Sequence, residues 1–247
     1  MADYKFPTEM VDLPSKGYFY PESHPLSSGK VEIKYMTAKE EDILTSTNLI
    51  QQGVVIDKLL ESLIVDKSIK VNDLLIGDKN AIMVSARILG YGKEYNFTYD
   101  EADVSVDLTK LEPVKINFDK LQKGNNKFSF TLPNSEREIT FKLLTSGDEK
   151  TIDTEVKAIQ KIAKDSSPEL TTRLKHIILS VDGQSDRKYI NNFVDNEFLS
   201  IDSIEFRRHM VSITPDVNMS TLIEVNGKET LVTIPVTVRF FWPDTRV

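Results

Sequence analysis

The sequence predicts an α+β fold: a tandem duplication of a strand, three-helix, β-hairpin module, with additional antiparallel strands. Three observations predict it. Two segments, residues 31–36 (VEIKYM) and 137–144 (REITFKLL), alternate apolar and polar side chains with the period of a half-buried strand. Each runs into a threonine with an acid three residues on, Thr37 with Glu40 and Thr145 with Asp148. That spacing is the capping box, in which hydroxyl and carboxylate answer the free N–H groups at a helix start. Beyond it, both halves repeat the same order of elements, at an offset that grows from 108 at the threonines through 116 to 124 at Asp78 and Asp202.

Taken along the chain, residues 1–30 read as an extended N-terminal arm, because YKFP and LPSKGYFYPESHPL are rich in proline and aromatics and lack periodicity. Residues 31–112 are the first α+β module. After its strand and capped helix, IDKLLESLIVD puts Ile56, Leu59, Leu60 and Leu63 on one helical face and stops at Asp66. A third helix is expected from Leu74 to Arg87 with Asp78 as its cap, closed by Gly90 or Gly92. EYNFTY and VSVDL then flank the acidic turn DEAD as a hairpin. Residues 113–136 are a connecting β segment with a Gly-Asn-Asn turn at 124–126 and alternating Phe118, Phe128 and Phe130.

Residues 137–247 form the second α+β module. LTTRLKHIILSVD places Leu170, Leu174, Ile177 and Ile178 on one face and stops at Asp182, and FLSIDSIEFRR is a third helix capped by Asp202. STLIEV and ETLVTIPVTVRFF flank Asn226 and Gly227, a strong hairpin signal. The approach turns repeat as well: LPSKG begins at Leu13 and LPNSE at Leu132.

Composition narrows the function classes. With 31 basic and 38 acidic side chains the formal net charge is −7, which argues against a reader of the nucleic-acid backbone. There is no cysteine, so disulfides, thiolate nucleophiles and Cys-bound zinc are all removed, and an intracellular compartment is expected. The start, MADYKFPTEM, has no export-signal pattern, and no apolar run approaches the length of a membrane span.

Chemistry is sparse. His24, His176 and His209 have no metal-ligand spacing, so no metal and no cofactor is expected. The many acid pairs read as caps and solvated helix faces, and GYG (90–92) lacks the hydroxyl of a phosphate loop. No catalytic residue is assigned; a carboxylate hydrolase built on Glu40 and Asp78 is the enzymatic alternative, and a general intracellular adaptor the other. The aromatics say more. In the closing run VTVRFFWP, strand alternation would bury one of Phe240 and Phe241 and turn the other outward, beside Arg239 and Trp242. These four are candidate interface anchors, with a terminal strand that staples a sheet as the competing reading. Tyr18, Phe19 and Tyr20 are a second candidate contact, in an arm laid over the chain's own surface or a partner's.

LPSKGYFY, ILTSTNLIQQG, DLLIGDKNAIMVSARILGYGKEY, LLTSGDEK and FFWPD together resemble the T4-type bacteriophage baseplate hub and hub assembly proteins, with matches spread from about residue 12 to 244. GDKNAI with GYGKEY is the most specific element. The resemblance implies a non-enzymatic role in building the central hub, as a resident virion subunit or as an assembly chaperone that leaves. It places the chain in the virion baseplate or, during assembly, in the host cytoplasm. Its partners would be other phage tail proteins, with no nucleic acid and no membrane, and a duplicated module suits a symmetric ring. The family pattern carries a C-x-x-C pair after GYG-x-EY, where this chain has NFTYDEADVSVDLTKL. Any metal held there by relatives is not expected here, and Phe97, Tyr99, Val104 and Val106 must hold the hairpin by packing.

Overall fold

The structure, a computed structural model, describes residues 6–162, 168–225, 228–236 and 238–241. Part of the segment expected to be an arm is a strand: β1 (Thr8–Asp12) pairs antiparallel with β2 (Lys30–Lys34), Val11 opposite Val31. Val31 and Ile33 are buried, as the alternation requires. Thr37 then opens α1 (Ala38–Thr45), followed by a short α2 (Thr47–Gln51), α3 (Val55–Leu63) and α4 (Ile76–Tyr91). Leu59, Leu60 and Leu63 of α3 are fully buried. Gly92, at φ 85°, closes α4 in a conformation that a side chain would strain. β3 (Glu94–Tyr99) and β4 (Ala102–Asp107) form the hairpin, with Asp100 and Glu101 both at positive φ as a two-residue turn demands. Val104 and Val106 are buried and Phe97 stacks on Tyr95, whereas Tyr99 is exposed.

The second half repeats this order. β5 (Phe128–Thr131) pairs with β6 (Glu138–Phe141), and α5 (Ser146–Ile162) and α6 (Glu169–Ile177) follow. Next come β7 (Ile178–Val181), α7 (Arg187–Asn192) with a π turn at Phe193–Glu197, and α8 (Ser200–Ile213). β8 (Ser220–Val225) and β9 (Lys228–Thr233) complete the second hairpin; its Asn226-Gly227 turn lies outside the described residues. Each copy thus holds four α-helices among the described residues, not three. The extra ones sit in different places, α2 after the first helix and α7 before the last.

Four further differences concern single elements. Ile178 belongs to a strand, because β7 pairs with β6 and completes a three-stranded antiparallel sheet; Leu170 is correspondingly exposed. The first copy makes the same connection with a single bridge, Ile33 to Ile64. Residues 113–127 carry a single bridge, Pro113 to Val217, and a 3-10 turn at Phe118–Lys120, so the connecting segment contributes one strand, β5. Both third helices run on past their arginines, to Tyr91 and Ile213. And the closing run is a 3-10 turn, Val238–Phe241, instead of a strand.

Two hydrophobic clusters organise the interior. One gathers β1, β2, the first-copy helices and hairpin, and also Ile223, Val232, Ile234, Phe240 and Phe241 from the C-terminal end. The other holds Leu132, Ile139, Phe141, Ile178, Phe193 and Phe206 of the second copy. The second hairpin therefore leaves its own copy and packs on the first. Phe128 and Ile213 lie against both clusters.

Candidate functional site

The polar groups that sequence repetition singles out are structural ties. Lys34 donates to Glu40 at 2.7 Å, and Thr37 N–H and Oγ1 donate to the same carboxylate at 2.9 and 2.6 Å. Ser62 Oγ, from α3, adds a fourth bond at 2.6 Å. Burial opposes the charge on Glu40, but the bonds from Lys34, Ser62 and Thr37 outweigh it and hold the carboxyl at about 2. In the second copy Lys142 donates to Asp148 at 2.7 Å and Thr145 N–H and Oγ1 at 3.0 and 3.1 Å. Here too burial is outweighed, and the Asp148 carboxyl lies below its usual range.

Asp78 and Asp202, expected as caps, are the third residues of α4 and α8 and accept instead from the approach turns. Asp78 takes bonds from Ser15 N–H (2.9 Å), Ser15 Oγ (2.7 Å) and Tyr20 Oη (2.6 Å). Asp202 takes them from Asn134 N–H and Nδ2 (both 2.9 Å) and Ser135 N–H (3.0 Å). Copy is joined to copy around Asp57, which receives Lys79 at 2.6 Å and Lys150 of α5 at 2.7 Å. Ser146 N–H donates to Leu74 O, and Leu75 bridges Thr145.

The hydrolase alternative finds no constellation. Glu40 and Asp78 expose no surface and share no bonding partner. Neither lines the groove of about 580 Å³ between α4 and the approach turn, whose walls include Leu13, Val84, Ile88 and Val217. The histidines are apart: His24 Nδ1 accepts from Leu26 N–H, His176 meets Glu155, and His209 stacks on Phe130. Among the described residues no group of three or more His, Cys, Asp or Glu could hold a metal ion.

The aromatic candidates are placed differently from the outward anchors expected. Phe240 and Phe241 are both fully buried, because the 3-10 turn breaks strand alternation and turns both rings inward. Phe240 packs against Tyr95 at 5.0 Å, and its carbonyl accepts from Arg87 Nε at 2.9 Å. Arg87 also bonds the carbonyls of Gly92 and Glu94, so one buried guanidinium gathers the end of α4, the first hairpin and the closing run. Arg239 is exposed, and Trp242 lies outside the described residues. Phe19 and Tyr20 are buried as well, since the arm wraps its own core; Tyr18 is half-buried against Phe118.

Sequence reasoning missed the exposed apolar surface. On α8, Ile201, Ile204 and Val211 are 54%, 41% and 72% exposed, and on the second hairpin Leu222 and Leu231 are 63% and 65% exposed. The signal was present: positions 201, 204, 208 and 211 share one side of a helix whose opposite side carries Phe206. Among the described residues no helix is long and apolar enough to cross a membrane.

The geometry defines a duplicated α+β protein whose buried polar groups bind turn to helix and copy to copy. The chain belongs to the T4 bacteriophage base plate protein family, whose family model matches residues 9–242, nearly its whole length. No curated protein and no solved structure matches it.

Proposed function

We propose that this baseplate protein is a hub subunit or hub assembly factor that works by binding other tail proteins and transforms no substrate. The observation that carries the reading is family membership across residues 9–242. The hub in particular is supported by the motifs GDKNAI and GYGKEY, which resemble the hub and hub assembly proteins. The absence of catalysis is supported by the bonding of Glu40, Asp78, Asp148 and Asp202, each held by groups of the fold itself. Among the described residues of the two aromatic stretches, Arg239 is exposed and Tyr18 keeps an open edge, which supports contact with a partner there. Its place is then the virion baseplate, or the host cytoplasm while baseplates are built.

Affinity capture with the tagged chain in infected cells is expected to recover baseplate tail proteins; capture of none would overturn the reading. Mass spectrometry of purified virions then separates the two roles, since a subunit remains in the particle and an assembly factor does not.

A further inference from the structure

We propose that copies of this chain associate head to tail, the outer face of the β8–β9 hairpin of one molecule seating on the outer face of α8 of the next. At the offset of 124, positions 77, 80 and 87 of α4 correspond to 201, 204 and 211 of α8. In the first copy that face is covered. A Cβ on Gly77 would lie 2.0 Å from the Pro215 carbonyl, Asn80 Nδ2 donates to Asp216 at 3.0 Å, and Arg87 donates to Phe240. All three covering residues lie downstream of α8, so the tail of the second copy closes the first. On α8 the same positions are Ile201, Ile204 and Val211, all exposed, and Arg208 pairs with Glu205 of its own helix.

The hairpin supplies the complement. Leu222 stands opposite Leu231, which puts both on one face, and both are exposed; on the other face Ile223 and Val232 are buried in the first core. The hairpin thus carries aliphatic side chains on both faces with one face covered, and on the open face the pair Glu224–Glu229 stands next to Leu222 and Leu231. Two bare aliphatic patches on different elements of one chain define a heterologous contact, the kind that closes rings or extends filaments. A twofold contact of α8 with α8 would leave Leu222 and Leu231 bare. Five aliphatic side chains fall short of the roughly 800 Å² per partner of a standard interface, so association is weak and concentration-dependent, and ring closure strengthens it.

Sedimentation velocity of the purified full chain over a concentration series tests this. The parent is expected to associate, and Ile204→Glu and Leu231→Glu each to raise the concentration for half-association by about tenfold or more. An equimolar mixture of the two variants should give a discrete one-to-one dimer, because one retains an intact hairpin and the other an intact helix face. Ile204→Ser and Leu231→Ser, mixed in the same way, decide the matter if either glutamate disturbs folding. A parent that stays monomeric, or a mixture that stays monomeric while the parent associates, would overturn the proposal. Either result leaves the tail-partner reading standing, because that is read by capture of other proteins.

Discussion

The two copies fasten the same turn to the same helix position with different chemistry. In the first, 17 positions separate Leu13 from β2 at Lys30; in the second, six separate Leu132 from β6 at Glu138. The long excursion folds Tyr20 over Asp78, so the carboxylate meets one backbone N–H, one serine hydroxyl and one phenol, all sealed from water. Burial pushes the Asp78 carboxyl up. The short loop carries no counterpart of Tyr20, and the buried Asp202 is met by three amide donors from a turn whose Asn134 lies at the surface. There burial also opposes the charge, yet the bonds from Asn134 and Ser135 outweigh it and the carboxyl lies below its usual range. One position, repeated, is fully buried in both copies, but its donors are buried in the first and come from a surface turn in the second.

The largest expected effect breaks the sealed tie. Asp78→Ala strands Ser15 N–H, its hydroxyl and the Tyr20 phenol, none of which water can reach. A loss of about 3–5 kcal/mol is expected, lowering the melting temperature by about 10 °C. Asp202→Ala exposes donors on and beside Asn134, which is itself at the surface, so water takes over and the loss is about 1–2 kcal/mol. Thermal melts of both variants check the ordering. Equal losses would mean that the Tyr20 lid makes no difference.

The next effect concerns what covers the two long helices. At Gly77 a methyl group would collide with backbone, since the Pro215 carbonyl lies 2.0 Å from an added Cβ. Gly77→Ala is therefore expected to cost about 1–3 kcal/mol as the 215–217 segment is pushed off α4. The matching change, Ile201→Ala on the open face of α8, should stay within about 0.5 kcal/mol. Denaturant midpoints measure both. A costly Ile201→Ala in the dilute monomer would show that α8 is covered after all.

The same contrast separates what the sequence discloses from what it withholds. The boxes at Thr37 and Thr145 were legible because threonine and acid stand three residues apart, and local spacing fixes them. The repeat of strand, helices and hairpin followed from periodicity alone. β7 was not legible: Ile177 and Ile178 extend the helical stripe of α6, and only the distant strand β6 turns Ile178 into sheet. Nor was the destination of the second hairpin, for alternation says that Ile223 and Val232 are buried but not against which copy. Phe240 and Phe241 failed for a related reason. Their inward turn depends on Arg87, 153 residues away in the chain.

The smallest expected effect sharpens the comparison through pH. The Glu40 carboxyl, held at about 2 in the folded chain, lies below the ordinary glutamate value of about 4.3, so its contribution is full above that value and is lost as pH falls toward 2. Asp148 is displaced in the same direction, with fewer bonds behind it: it lacks the counterpart of Ser62 and keeps some exposure where Glu40 has none. Guanidinium melts between pH 6 and 2.5 should show the parent losing stability on acidification. Glu40→Gln should flatten that slope by about 2 kcal/mol across the range, and Asp148→Asn by less. A slope unchanged in Glu40→Gln would place the acid sensitivity elsewhere, and one flattened more by Asp148→Asn would make the second copy's box the stronger of the two.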